Sequence, residues 1–275
     1  MFEANVRVDC HGLTDIGKVR KVNQDQFLIG SMRKVMEIDQ TSLPSHTCEA
    51  LHSSAMARLL LVADGVGGSA AGEEAAGLAL ETVAAYVTGS MRCFYQLDRQ
   101  LEGDLMSELA HSVEQSHSTV LAAAQASPEM EGMATTLTVV HLLWPTAYIV
   151  HVGDSRCYLY RDAKLRQLTK DQTMARDLVE QGVLPAHLAD ESRWSHVLSS
   201  AVGKEVKPET SKAELRLNDT LLLCTDGLTK HVSLSEMEGM LGAATSAEDA
   251  CRALVAGALD GGGTDNVTVV VARFE

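Results

Sequence analysis

One pattern constrains this chain more than any other: an apolar run with strand character ends in an aspartate that is followed by glycine, serine or asparagine. It occurs at residues 61–65, 151–155, 223–227 and 263–266. Charged groups at the ends of buried strands are costly unless they are paired, solvated or bound to a metal. A single Asp-Gly is a common turn signal. The repetition weakens that simple interpretation and predicts a cluster of carboxylates.

The segments between these aspartates predict the fold class. Strand-like segments flank turns at 144–146 and 161–164, and strands linked by hairpins form antiparallel sheets. Amphipathic helices need a sheet face to cover, so we expect an α+β fold with two packed sheets and outer helices. A capping box at 169–172 predicts a further helix through Leu178. The apolar faces of the first two helices consist of Ala76, Leu80, Val83 and Val87, and of Leu105, Leu109, Val113 and Val120.

Length and charge narrow the class of protein. The 275 residues are enough for one domain over 1–275, with an irregular loop at about 31–57 and a second irregular region at about 183–205. The formal charge of −14 disfavours nucleic acid and membranes as partners. The six scattered cysteines, the lack of a signal-like start and the lack of a long apolar run predict a monomeric cytoplasmic protein with free thiols.

Carboxylates that cluster without histidine or cysteine indicate a particular kind of metal site. Their oxygens suit Mg²⁺ and Mn²⁺, whereas zinc sites prefer histidine and cysteine. Two such ions about 3.5–4 Å apart can deprotonate a bridging water and neutralise phosphate oxygens during in-line attack. A fifth acid, Asp25, precedes a predicted strand, and Arg20 lies five residues before it. A guanidinium group matches phosphate oxygens with two hydrogen bonds, so Arg20 is a candidate phosphate clamp.

Seven short segments, spread from residue 14 to residue 268, occur in an order that a chance match would not produce. They are Thr14-Asp15-x-Gly17-x-Val19-Arg20-x-x-Asn23-Gln24-Asp25, Ala63-Asp64-Gly65-Val66-Gly67-Gly68, Met133-Ala134-Thr135-Thr136-Leu137, Val152-Gly153-Asp154-Ser155-Arg156, Leu168-Thr169-x-Asp171, Thr225-Asp226-Gly227-Leu228 and Asp265-Asn266-Val267-Thr268. In this order they resemble the PPM family, the protein phosphatase 2C-like enzymes, in their bacterial serine/threonine form.

The resemblance implies a fold, an activity and partners. The fold would be a four-layer α-β-β-α sandwich, in which helices flank two antiparallel sheets, and the region at 183–205 would be a flap. The activity would be that of a protein serine/threonine phosphatase, which hydrolyses phosphoserine and phosphothreonine with a water activated at a binuclear Mn²⁺ or Mg²⁺ centre. The partners would be phosphorylated proteins, the targets of a serine/threonine kinase.

The matching segments also imply the metal ligands. Asp64 would bridge the two ions, and the Gly65 carbonyl would bind one of them. Asp226 and Asp265 would ligate the other ion. Asp154 would belong to a third metal site that many bacterial members contain.

Further residues would act on the substrate or support the ligands. Arg20 would hold the substrate phosphate, and Asp25 would orient the attacking water, so that Arg20, Asp25 and Asp64 form the catalytic set. Gln24 and Asn266 would stand behind the metal ligands. Family members usually have glutamate at the position of Gln24, so one charge is missing here.

Two other departures concern the chemistry. Val66 stands where eukaryotic members have a histidine proposed to protonate the leaving group, and bacterial members also lack that histidine. Lys230 stands four residues after Asp226, where family members often have an acid that contributes to the third metal site. An ammonium group there should weaken that third site.

Three alternatives compete with the phosphatase interpretation. A pseudophosphatase would keep the fold as a binding module, but it would be expected to lack metal ligands, which are present here. Residues 153–155 could form a serine-hydrolase site, but the small flanking residues of a nucleophile elbow are missing. Residues 64–68 could form a nucleotide phosphate loop, but no Gly-Lys-Ser/Thr follows them.

Overall fold

The computed structural model describes residues 6–37, 50–67, 69–91 and 99–275, and its framework is a pair of packed antiparallel sheets. The strands of the first sheet are β1 (Val8–Asp15), β7 (Arg156–Arg161), β8 (Lys164–Gln167), β10 (Thr220–Cys224) and β11 (Val267–Phe274). Their spatial order is β1-β11-β10-β7-β8, and each neighbouring pair is antiparallel. The C-terminal strand β11 therefore lies beside the N-terminal strand β1.

The second sheet carries the longest strands. Its strands are β2 (Asp25–Glu37), β3 (Ala50–Val66), β4 (Ala134–Thr135), β5 (Leu137–Leu143), β6 (Thr146–Val152) and β9 (Glu209–Glu214). Their order is β2-β3-β5-β6-β9, and the short β4 pairs with the end of β3 at Gly65 and Val66. The predicted turn at 144–146 thus joins β5 to β6 as an antiparallel hairpin in this sheet.

Helices cover both outer faces. They are α1 (Ser69–Gly89), α2 (Arg99–Ala126), α3 (Met174–Glu180), α4 (Asp226–Thr229), α5 (Leu234–Ala243) and α6 (Ala247–Asp260). One apolar cluster joins α1 and α2 to the second sheet, and another joins α4, α5 and α6 to the first sheet. A third cluster, which includes Leu60, Ile149 and Phe274, fills the space between the sheets. The α+β four-layer sandwich is therefore confirmed.

The predicted helix faces are confirmed as well. The four apolar residues named for α1 and the four named for α2 are all buried against the second sheet. Such periodic patterns are reliable because a helix that covers a sheet must bury one continuous face. None of the helices in the described part of the chain combines the length and apolarity needed to cross a membrane.

The predicted loop at 31–57 is wrong at both ends. Residues 31–37 continue β2 and residues 50–57 begin β3, and the two strands pair across this stretch. Residues 38–49 lie outside the described part of the chain. The sequence shows no periodicity here because β3 pairs with β5 only over Ala57–Val62. On the N-terminal side of Ala57, β3 continues to pair with β2, but β5 no longer lies on its other side.

The helix predicted from the capping box at 169–172 begins later than expected. Thr173, not Thr169, caps α3 by accepting a hydrogen bond from the Arg176 amide. The Thr169 hydroxyl instead accepts a hydrogen bond from the Cys157 amide at 3.0 Å. The region at 183–205 is largely irregular, with a 3-10 turn at 186–188, and it contacts β4 through a bridge between Thr135 and Val202.

Four cysteines belong to the described part of the chain and are free thiols, as predicted. They are Cys10, Cys157, Cys224 and Cys251, the last three of which are buried. Cys48 and Cys93 lie outside the described residues.

Candidate functional site

A cavity of about 680 Å³ collects the aspartates that end the strands. Asp64 lies near the end of β3, Asp154 follows β6, Asp226 follows β10, and Asp265 precedes β11. All four line this cavity, as do Arg20 and Gly65. Strand ends from both sheets therefore meet here, and the predicted carboxylate cluster forms from residues up to 201 positions apart in the sequence (265 − 64).

Asp25 lies beneath this cavity and not on its wall. It begins β2 and is the register partner of Asp64 on β3. The residue is only 2% exposed. Its Oδ2 accepts a hydrogen bond from the Thr225 hydroxyl at 2.8 Å, whereas its buried Oδ1 has no partner among the described residues. Asp25 is thus a buried carboxylate held close behind Asp64.

Two neighbouring threonines hold the backbone of Asp64. The Asp64 amide donates to the Thr136 hydroxyl at 2.9 Å, and the Asp64 carbonyl accepts from the Thr135 hydroxyl at 3.0 Å. Thr136 also bonds to the Ser155 hydroxyl at 2.7 Å, which links the β3 end to the turn that carries Asp154. These hydroxyls give the Thr-Thr segment a local function that sequence reasoning did not assign.

Gly65 is a position where a side chain has no room. A Cβ there would lie 2.1 Å from the carbonyl oxygen of Gly72 on α1. The Gly65 amide donates to the Gln24 carbonyl at 3.2 Å, and the Gln24 amide donates to Asn266 Oδ1 at 2.9 Å. Gln24 and Asn266 therefore connect the end of β3 to the turn that carries Asp265.

The loop that carries Arg20 is fixed by the same asparagine. Asn266 Nδ2 donates to the carbonyls of Ile16 and Val22 at 2.9 and 3.0 Å. Gly17 has a φ of +78°, and a Cβ there would lie 2.3 Å from the Asp265 carbonyl oxygen. Only glycine allows so close an approach. The Arg20 loop is consequently packed against the turn before β11.

Two basic side chains pair with Asp226 and Asp265, the aspartates predicted to ligate the ion that does not contact Gly65. Arg20 contacts Asp265 with its Nε at 2.7 Å and its Nη2 at 2.9 Å. Lys230 Nζ lies 2.6 Å from Asp226 Oδ2 and 2.8 Å from Asp265 Oδ2. Lys230, which the sequence associates with a third site, thus reaches both of these ligands. Its i,i+4 spacing from Asp226 was the signal for one of the two contacts.

The electrostatics of the cavity follow from burial and mutual repulsion. Burial, with the charges of Asp226 and Asp265 adding to it, raises the pKa of Asp25 to about 7. Burial and the neighbouring acids, Asp25 first among them, raise the pKa of Asp64 well above its ordinary value. Burial opposes ionisation of Asp265, but hydrogen bonds from Arg20 and Lys230 outweigh it and lower that pKa. The Asp25 and Asp64 side therefore holds the uncompensated acids.

Asp154 belongs to a neighbouring part of the same site. It lines the main cavity and also a smaller one of about 280 Å³, which it shares with Asp226, Ser195 and Lys230. Burial and the charge of Asp226 raise the pKa of Asp154 to about 7, although Lys230 partly offsets them. The predicted third-site acid is therefore next to the lysine, as the sequence indicates.

The donor chemistry of the cavity fits a hard divalent cation. It consists of carboxylate oxygens, and the buried Oδ1 atoms of Asp25 and Asp226 have no hydrogen-bond partner among the described residues. Buried carboxylates of this kind are stable when a cation neutralises them. Among the side chains of residues 6–33, 57–67, 71–91 and 101–275, no three acidic, histidine or cysteine groups lie close enough together to hold one metal ion. Arg20 and Lys230 take both oxygens of Asp265 and one of Asp226.

Comparison with known proteins gives a consistent family. A family model described as protein phosphatase 2C matches residues 47–256. This stretch contains Asp64, Asp154 and Asp226. Arg20 and Asp265 lie outside it, and their placement rests on the structure and on the sequence motifs.

Two curated relatives differ in length. The serine/threonine protein phosphatase PstP of Mycobacterium tuberculosis is 40% identical over 217 residues, which are 78% of this chain and 40% of PstP. The chain therefore spans less than half the length of that relative. The serine/threonine phosphatase stp of Listeria welshimeri is 30% identical over 219 residues, which are 78% of this chain and 84% of stp.

Solved structures match over nearly the whole chain. A crystal structure of the M. tuberculosis phosphatase PstP/Ppp has a TM-score of 0.77 at 33% identity, covering 97% of this chain and 98% of that one. The PstP catalytic domain in complex with two manganese ions has a TM-score of 0.75 at 32% identity, covering 98% of this chain and 99% of that one.

Proposed function

The chain belongs to the protein phosphatase 2C family, and on that premise we propose that it is a metal-dependent protein serine/threonine phosphatase. The observation that carries the proposal is the cavity that Asp64, Asp154, Asp226 and Asp265 line together with Arg20. Acidic ligands and one guanidinium group in the same cavity suit a phosphate ester held against bound cations. A binding module without catalysis would not need this arrangement.

Four of the residues would hold the ions. Asp64 and the Gly65 carbonyl would hold one ion, and Asp64, Asp226 and Asp265 would hold the other. Mn²⁺ or Mg²⁺ at these positions supplies the positive charge that lowers the pKa of the attacking water and neutralises the phosphate oxygens. The threonine contacts to the Asp64 backbone fix the shared ligand in place before any ion binds.

Asp25 would position the attacking water through a hydrogen bond. Its Oδ2 is fixed by the Thr225 hydroxyl, which leaves the buried Oδ1 as an acceptor directed by the β2–β3 pairing. With a pKa of about 7 in the absence of ions, the carboxyl group can hold or release a proton near neutral pH. Asp25 would act on the water and not on the phosphate, because it lies behind the cavity wall and does not line the cavity.

Arg20 would hold the substrate phosphate. Its side chain lines the cavity and is about half exposed, at 52%. The bidentate contact with Asp265 fixes the guanidinium beside a proposed ligand, so a phosphate bound by Arg20 would lie next to the ions. A guanidinium group suits this purpose better than an ammonium group, because its fork matches two phosphate oxygens.

The substrates would be phosphorylated proteins, the products of a serine/threonine kinase. We also propose that the enzyme acts as a monomer in the cytoplasm, where the four described free thiols would stay reduced. Residues 1–275 would form a single catalytic domain, with the flap at 183–205 beside the substrate, since Val197 and Leu198 line the cavity.

The direct test is turnover of p-nitrophenyl phosphate and of phosphoserine and phosphothreonine peptides, each with excess Mn²⁺ or with EDTA. We expect hydrolysis that requires the ion, and a preference for both peptides over a matched phosphotyrosine peptide. Mn²⁺ binding without turnover of any substrate would instead support the pseudophosphatase alternative.

Replacement of Arg20 by alanine should weaken catalysis without removing the ions. We expect kcat/KM for a phosphoserine peptide to fall by about 10²–10³-fold, the usual cost of losing one hydrogen-bond donor to the charge that develops in a transition state. Arg20→Lys should recover only part of this loss. Calorimetric titration with Mn²⁺ should show two bound ions in each variant.

The matched control for Arg20 is Arg252→Ala, which removes an exposed arginine that pairs with Glu248 on α6. This control should keep the wild-type kcat/KM. Unchanged kinetics in Arg20→Ala would refute the clamp, and loss of Mn²⁺ binding would show that Arg20 acts through Asp265.

A further inference from the structure

We propose that Lys230 is a built-in cation that competes with the divalent ion shared by Asp226 and Asp265, so that the two ions bind with unequal affinity. The inference rests on the phosphatase function proposed above and concerns how its metal centre is filled. The ion beside Asp64 and Gly65 would bind first. The second ion would bind only when its concentration is high enough to displace the ammonium group.

The position of the ammonium group is the first observation. Nζ of Lys230 lies between the two carboxylates, 2.6 Å from Asp226 Oδ2 and 2.8 Å from Asp265 Oδ2. Asp226 keeps its buried Oδ1 without a partner among the described residues, but both oxygens of Asp265 are in contact with Arg20 or Lys230. A divalent ion bound by both aspartates would therefore meet the ammonium group at Asp265 Oδ2. The lysine therefore stands in the place of a cation and does not merely lie close to one.

Local backbone structure makes this position a property of the fold. Lys230 is the C-terminal cap of the short helix α4, which begins at Asp226, and the Lys230 amide donates to the Asp226 carbonyl at 2.9 Å. Residues four apart on a helical turn lie on one face. The turn thus directs the lysine side chain back over Asp226, and the β10–β11 pairing places Asp265 within its reach.

The degree of burial gives the contact its strength. The side chains of Lys230, Asp226 and Asp265 are 26%, 18% and 17% exposed, well below the 68% and 50% of the surface ion pair Arg252–Glu248 on α6. Charge pairs that are shielded from water interact more strongly than exposed ones. Displacement of the ammonium group must therefore cost part of the binding energy of the second ion.

The opposite end of the site lacks such a competitor. Asp64 and Asp25 face each other in the β2–β3 register, and neither has an ion pair with Lys230 or Arg20 among the described contacts. Uncompensated carboxylates bind a cation without first releasing another one. The charge distribution consequently predicts the order in which the two positions fill.

Replacement of Lys230 by methionine tests this competition directly, because methionine keeps an unbranched side chain and removes the charge. Wild-type protein and Lys230→Met would be titrated with Mn²⁺ by calorimetry, and the ions bound would be counted by equilibrium dialysis. We expect wild type to bind the second ion at least about tenfold more weakly than the first. Lys230→Met should tighten the second step by about tenfold or more and leave the first step within about twofold.

Two further variants complete the experiment. Lys230→Arg keeps the positive charge and should retain the weak second step. Lys164→Met removes an exposed lysine that pairs with Glu238, and its binding curve should match that of wild type. Should Lys230→Met fail to fold by circular dichroism, Lys230→Gln replaces it, with the same expected tightening.

The outcomes separate the two proposals. Two ions that bind Lys230→Met with the wild-type affinities, in a protein that still dephosphorylates its substrates, would overturn the competition and leave the phosphatase function intact. Wild type and variant that both fail to bind Mn²⁺ would overturn the proposed function itself, and the competition with it.

Discussion

Replacement of Asp64 by asparagine is expected to abolish Mn²⁺-dependent phosphatase activity while it stabilises the metal-free protein. Activity should fall at least about a thousand-fold, because a proposed ligand of both ions is lost and the transition-state charge is no longer neutralised. The metal-free melting temperature should rise by about 2–6 °C. The reason is that Asp64 lies among Asp25, Asp226 and Asp154, whose charges oppose its ionisation.

This prediction separates function from folding. Asparagine has nearly the same shape as aspartate, and the hydrogen bonds that hold position 64 involve its backbone, so the fold should persist. Differential scanning calorimetry with EDTA and a p-nitrophenyl phosphate assay with Mn²⁺ would measure the two effects. The exposed control Asp260→Asn at the end of α6 should change neither quantity. Retained turnover in Asp64→Asn would show that the ions bind elsewhere.

Stabilisation of the protein by Mn²⁺ is expected to be large at pH 7.5 and to vanish near pH 5. Burial raises the pKa of both Asp25 and Asp154 to about 7, and that of Asp64 also lies well above its ordinary value. Below pH 7 protons therefore compete with the ions. For each carboxyl group that must lose a proton, the apparent Mn²⁺ affinity should fall about tenfold per pH unit.

The same buried carboxyl groups should also make the stability of the metal-free protein depend on pH. Carboxyl groups with a raised folded-state pKa hold protons that the unfolded chain releases, so they make the metal-free protein less stable as the pH rises from about 4 to 7. Buried His141 and His151 act in the opposite direction, because burial lowers their pKa values and folding excludes their charged forms. The histidines influence the ion-free and ion-loaded states alike.

The difference in melting temperature between samples with MnCl₂ and with EDTA thus isolates the carboxylates. It should shrink steadily from pH 7.5 to pH 5, and the slope should be smaller in Asp25→Asn, which has one fewer buried carboxyl group. A Mn²⁺ effect of constant size across this range would contradict the assignment of the buried aspartates to the metal centre.

Much of the fold could be predicted because burial leaves a periodic signal. The helix faces at 76–87 and 105–120, and the short apolar strands before Asp64 and Asp226, face apolar layers in the structure. The same patterns failed at 31–57, where β2 and β3 pair through their backbones and only part of the stretch has β5 alongside. The hydrogen bonds of this pairing are made by backbone groups that every residue except proline carries, so the pairing need not leave a pattern in the sequence.

The sequence by itself predicted which residues lie together in the candidate site. Asp64, Asp154, Asp226, Asp265 and Arg20 were all identified from motifs, and all of them line one cavity. This was possible because each aspartate directly ends or precedes an apolar strand, and such strand ends meet at the edge of the sheets.

Only the tertiary structure decided which of these side chains contact one another. The β2–β3 register places Asp25 behind Asp64, and the packing of the Arg20 loop on the turn at Asp265 makes that pair. The contact of Lys230 with Asp265 spans 35 positions. Contacts of this kind depend on strand register and on distances of a few ångströms between distant segments, which residue identity and spacing do not encode. The aspartates, Arg20 and Lys230 could therefore be named from the sequence, but the pairing of both basic side chains with Asp265 could not.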